Sequence, residues 1–72
     1  MKNKNKIKIK LNGKKFLIDQ HSNVSYLVKK LDIPLNRVAI ELNKKIIDKK
    51  KIKNIILHDK DKLEIVHFIG GG

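Results

Sequence analysis

The stretch Lys62-Leu63-Glu64-Ile65-Val66-His67-Phe68-Ile69-Gly70-Gly71-Gly72 joins an apolar, strand-like run directly to three glycines. Glycine has no Cβ and accepts backbone conformations closed to other residues. Such a tail extends into channels too narrow for any side chain. The expectation is that nothing follows Gly72, which makes its carboxylate the last functional group. Within the strand, placing Leu63 and Ile65 in a core puts Glu64, Val66 and Phe68 on the opposite face, since side chains alternate with period two. Two exposed apolar side chains beside a reactive tail suggest a partner-docking patch formed by Val66, Phe68 and Glu64. The plainer alternative is that Val66 and Phe68 fold over an edge or pack against a loop.

Upstream, the pattern resolves into short elements. Ile7, Ile9 and Leu11 alternate with Lys6, Lys8 and Lys10, the period of a half-buried strand. Asn12-Gly13 suits a two-residue type I′ turn, and Lys14 to Asp19 returns as a second strand. Val24, Leu27, Val28 and Leu31 form one helical stripe, capped by Ser22 or Asn23 and closed before Pro34. Val38 to Leu42 alternates as a third strand, and Asn43-Lys44-Lys45 turns into a short strand at Ile46-Ile47. Ile52, Ile55 and Ile56 have helical spacing in a segment too short for a stable helix, so one short turn of helix is expected between Asp48 and Leu57. His58 to Asp61 forms a turn into the last strand, Lys62 to Phe68. A helix on one face of a mixed sheet is an α+β architecture.

A chain of 72 residues with no cysteine has a small core and no disulfide or Cys-based metal site to support it. It leaves no room for a buried catalytic cleft. No stretch approaches the roughly 20 apolar residues of a membrane span, and no apolar segment of a signal peptide follows the basic N-terminus; a cytoplasmic location is expected. The net charge of +11 comes almost wholly from lysine, with Arg37 the single arginine. Lys, Ile and Asn make up half of the sequence, as A/T-rich codons at neutral surface positions would give. A solvated basic surface is the simplest reading. His21, His58 and His67 lack metal-site spacing, and Asp59 and Asp61 read as turn formers rather than cation ligands. No catalytic residue and no metal site is expected.

The order strand, strand, helix, strand, short strand, short helix, strand, with a glycine tail, resembles the ubiquitin-like β-grasp fold. That fold implies a mixed sheet of four to five strands packed on one main helix. It implies a single domain over residues 1–72, with a folded core at 6–69 and a flexible tail at 70–72. The second half resembles the sulfur carrier proteins of thiamine thiazole synthesis, the ThiS family. The matching residues are Val38-Ala39-Ile40-Glu41-Leu42-Asn43, Ile46-Ile47, and the run from Asp59 to Gly72. Lys60 departs from the family, which usually has glycine there; lysine is tolerable unless the position needs positive φ. The segment after Ile47 lacks the tryptophan of many members, and the basicity is unusual.

The resemblance implies a carrier that acts as co-substrate, not an enzyme, with no bound cofactor. An adenylating, E1-like partner would use ATP to activate the C-terminal carboxylate. Sulfur drawn from cysteine through a desulfurase would convert the acyl-adenylate to a thiocarboxylate, and a thiazole synthase would take it. Transferred to this sequence, the attachment point is Gly72, with Gly70 and Gly71 giving clearance. The residues agree with that chemistry. A C-terminal carboxylate, with a pKa of about 3.5, is ionised at neutral pH and is a poor electrophile until activated. No glycine-rich phosphate loop is present, and without cysteine the chain has no thiol to hold a persulfide. The small subunit of molybdopterin synthase and ubiquitin-like modifiers share the tail chemistry and remain alternatives. A basic RNA-binding β-grasp domain is the alternative of another class; nucleic acid is the less expected partner, because aromatic stacking positions and arginines are missing.

Overall fold

Asn12 and Gly13 take up φ angles of 51° and 84°, the left-handed pair that a type I′ turn demands. They join β1 (Lys6–Leu11) to β2 (Lys14–Asp19) as an antiparallel hairpin with Ile9 opposite Phe16. The computed structural model describes residues 5–68, so Ile69 and the glycine tail lie outside the described residues. Lys6 and Asp19 close the far end of the hairpin with a 2.7 Å ion pair. The Asp19 carboxylate, by hydrogen bond and by charge, raises the Lys6 ammonium above the ordinary lysine range.

Helix α1 (Val24–Lys30) starts at Asn23, whose side chain accepts from the Tyr26 amide at 2.7 Å. Of the two expected caps, Asn23 is the one used. Ser22 instead donates from its hydroxyl to the Asp19 carbonyl at 2.7 Å. Lys29 and Lys30 occupy the last turn, where positive charge complements the exposed carbonyls. The helix ends before the 3₁₀ turn Leu35–Arg37 that follows Pro34. β3 (Val38–Leu42) and β4 (Lys45–Ile46) form a second hairpin through Asn43 and Lys44, at φ 52° and 72°. The expected short helix appears as a 3₁₀ turn, Lys49–Asn54. Its isoleucines do not act as one stripe. Ile52 is buried, whereas Ile55 and Ile56 follow in extended chain, where the Ile55 carbonyl accepts from Val24 and Ile56 bridges to Asn23.

The last strand, β5 (Lys62–His67), lies in the middle of a five-stranded sheet of order β2-β1-β5-β3-β4. It runs parallel to β1 and antiparallel to β3, so the sheet is mixed. Ile9, Ile18, Val38, Ile40, Leu63 and Ile65 face α1, meeting Val24, Leu27 and Val28 in one core. Each fully buried Ile or Leu contributes roughly 1.5–3 kcal/mol. No helix among the described residues is long and apolar enough to cross a membrane.

Candidate functional site

β5 is anchored to its end. The Phe68 amide donates to the Arg37 carbonyl at 2.9 Å, one step beyond the pairing of Val38 with His67. The chain is therefore still held to β3 at the residue before Ile69. Leu63 and Ile65 are buried, as the alternation predicts, while Glu64, Val66 and Phe68 are exposed. Val66 and Phe68 keep about half of their surface in solvent, 51% and 52%. The face they occupy is the one turned away from α1. Gly70, Gly71 and Gly72 lie outside the described residues.

Three neighbours of this face were not picked out from the sequence. Ala39 sits opposite Val66 in the ladder, and Ile46, 75% exposed, pairs with Glu41, which in turn lies opposite Glu64. Period-two counting through β3 and β4 was enough to place Ala39 and Ile46 there, given the strand order. Lys49 is different. Its ammonium donates to the carbonyls of Leu35 and Val38, both at 2.7 Å, and lies 5.5 Å from the centre of the Phe68 ring. A half-buried lysine thus ties the start of β3 to the aromatic side chain nearest the tail. Nothing in the local spacing of Lys49 signals this, because all three partners are remote in sequence.

The aspartates of the turn before β5 are committed to structure. Asp59 accepts from the Lys8 amide at 2.9 Å. Asp61 accepts from the His58 amide at 2.8 Å and from the Asn43 side chain at 3.0 Å. Between them Lys60 stands at φ 73°, donating its amide to the Lys8 carbonyl at 2.7 Å. The position does need the left-handed conformation, so a lysine here is strained where a glycine is not. Among the described residues no three His, Cys, Asp or Glu side chains gather as a metal site.

The model of the ThiS family matches residues 4–72, a span that includes the glycine tail. The sulfur carrier protein ThiS of Bacillus subtilis (strain 168) is 51% identical over 35 residues, 49% of this chain and 53% of that protein. A thiazole synthase of Paramagnetospirillum magneticum is 36% identical over 66 residues, which is 92% of this chain and 20% of the synthase. Among solved structures, the thiamine biosynthesis protein ThiS of Geobacter metallireducens matches with a TM-score of 0.80 at 28% identity, covering 92% of this chain and all of that one. The expected β-grasp arrangement is therefore the fold, with five strands and one α-helix among the described residues.

Proposed function

Because this chain belongs to the ThiS family, we propose that it is a sulfur carrier for thiazole synthesis, loaded on the carboxylate of Gly72. The family match over residues 4–72 carries this reading, since it takes in the anchored strand and the glycines as one unit. The chain is the cargo holder and its partners do the catalysis. A Gly72 carboxylate oxygen attacks the α-phosphorus of ATP on an adenylating enzyme, pyrophosphate departs, and an acyl-adenylate forms. A sulfur nucleophile, supplied from cysteine by a desulfurase, then attacks the acyl carbon and AMP leaves. A thiol reductant then attacks the donor's sulfur in the resulting acyl disulfide, forming a donor–thiol disulfide and freeing a thiocarboxylate on Gly72, from which thiazole synthase takes the sulfur. Gly70 and Gly71 let the terminus reach through a narrow channel.

Docking falls to the exposed end of β5. Val66 and Phe68 present apolar surface next to the tail, with Glu64 beside them and Lys49 fixing the Phe68 ring. Clustered apolar surface of this kind marks interfaces. Intact-mass measurement after incubation with ATP, the adenylating enzyme and a sulfur source tests the central step. The expected result is a shift equal to one oxygen replaced by sulfur, localised to Gly72 by fragmentation. A folded chain that gains no such mass, with an enzyme that loads another ThiS protein, overturns the reading.

A further inference from the structure

Asn12 is the one asparagine of the chain that a glycine follows; the others precede Lys, Val, Arg or Ile. Asparagine is chemically labile, because the next residue's amide nitrogen can close a cyclic imide on its side-chain carbon. Glycine leaves that nitrogen unshielded by a Cβ. Both turn residues are exposed, and nothing lies within 4 Å of the place where a Cβ on Gly13 would stand. The reacting atoms are therefore open to water. The geometry of the side chain opposes the reaction. The Asn12 carboxamide is turned across to β5, where Oδ1 accepts from the Ile65 amide at 2.7 Å and Nδ2 donates to the Ile65 carbonyl at 3.3 Å. Ile65 is itself buried and paired with Ile40 on its other side. Imide closure swings the carboxamide carbon back onto the Gly13 nitrogen and so breaks both bonds.

We propose that Asn12 is a self-modification site gated by β5. It deamidates when its clip on Ile65 opens, and the product weakens the hold on the strand that leads to the tail. In the open state the Gly13 nitrogen loses its proton to solvent and bonds to the Asn12 side-chain carbon. Nδ2 takes up a proton and leaves as ammonia. Water then opens the imide at either carbonyl, giving aspartate or, with the main chain rerouted through Cβ, isoaspartate. No oxidant or reductant is involved. An ionised aspartate accepts but cannot donate, so it sets a carboxylate oxygen against the Ile65 carbonyl. Isoaspartate adds a backbone atom to a turn whose φ angles of 51° and 84° suit Asn-Gly. The register of β1 with β5 ends at Leu11 and Leu63, so the Asn12 side chain is what carries the pairing on to Ile65. Asn43 is the contrast. It clips β5 in a similar way, accepting from the Lys62 amide at 2.9 Å and donating to Asp61 at 3.0 Å. The residue after it is Lys44, whose Cβ shields the nitrogen.

The test follows the full chain by peptide mass, with isoaspartate detected by enzymatic methylation, during incubation at neutral pH in buffer and in concentrated guanidinium chloride. Asn12 should deamidate in both, about tenfold more slowly when folded, the protection expected of two hydrogen bonds that must open first. In guanidinium too dilute to unfold the chain, the rate should rise together with hydrogen exchange of the Ile65 amide. Asn43, read in the same samples, should change far less. Gly13→Ala should slow the reaction at Asn12 several-fold in concentrated guanidinium, where no folded variant is needed. Asn12→Asp, and wild-type chain purified after modification, should both show faster Ile65 exchange than the unmodified chain. Equal rates in the folded and unfolded chain would remove the gate. An Asn12 that stays intact in guanidinium would remove the site, and unaltered Ile65 exchange in the modified chain would remove the consequence. Each of these results overturns the proposal, and none of them bears on the Gly72 mass measurement that decides the carrier reading.

Discussion

The side chain of Asn12 completes the pairing of Ile65 that β1 leaves unfinished. Its carboxamide accepts from the Ile65 amide at 2.7 Å and donates to the Ile65 carbonyl at 3.3 Å, while its own amide donates to Leu63 at 2.9 Å. A single turn residue therefore bends the first hairpin and extends the sheet along the strand that leads to the tail. Asn43 acts similarly from the other hairpin, exchanging bonds of 2.8 and 2.9 Å with Lys62. The central strand is clipped on both sides by asparagines that also hold positive φ.

Asn12→Ala loses both side-chain bonds and puts an alanine at positive φ, and should lower stability by about 2–3 kcal/mol. Asn12→Gly restores the backbone freedom but not the bonds, and should recover roughly 1 kcal/mol of that loss. Urea unfolding of the pair separates the two contributions. Two variants as stable as the wild type would show that water replaces the clip at no cost.

Lys60→Gly should act in the other direction. At φ 73° the lysine side chain crowds the backbone, and glycine relieves this by about 1 kcal/mol, less its own unfolded-state entropy. Thermal unfolding should show a higher midpoint. A lower midpoint would mean that the Lys60 side chain supplies a contact worth more than the strain.

Lys49→Met keeps the aliphatic stem and removes the ammonium from the Leu35 and Val38 carbonyls and from the Phe68 ring. The expected loss is about 1–2 kcal/mol, limited by partial solvent access. NMR should also show broadened or shifted Phe68 ring resonances. Unaltered Phe68 signals would disconnect the lysine from the docking end.

Phe68→Ala removes a half-exposed ring and should cost stability less than about 1 kcal/mol. Loading of Gly72 by the adenylating enzyme should nevertheless slow several-fold, on the scale of a moderate interface contact. A rate loss that merely follows the unfolded fraction would remove Phe68 from the docking surface.

Much of the architecture was legible because it depends on local rules. The alternation of Ile7, Ile9 and Leu11, the Asn12-Gly13 turn and the Val24, Leu27, Val28 stripe each express one backbone geometry within a few residues. The same alternation put Glu64, Val66 and Phe68 on one face before any strand order was known. Helical spacing gave the short turn at Lys49–Asn54 but misplaced Ile55 and Ile56, which pair with the start of α1 in extended chain. Lys60 is intermediate: its departure from a usual glycine was visible, but the positive φ that makes it matter was not.

By itself, the sequence determined the chemistry available to the protein: a glycine run, no thiol, and a strand with one apolar and one mixed face. Tertiary structure alone decided which residues of distant segments meet. It placed β5 between β1 and β3, aligned Lys15, Lys10 and Lys62 across three strands, and brought Lys49 over Phe68. The physical reason is that periodicity fixes which way a side chain faces, whereas strand order and register arise from pairing between segments far apart in the chain.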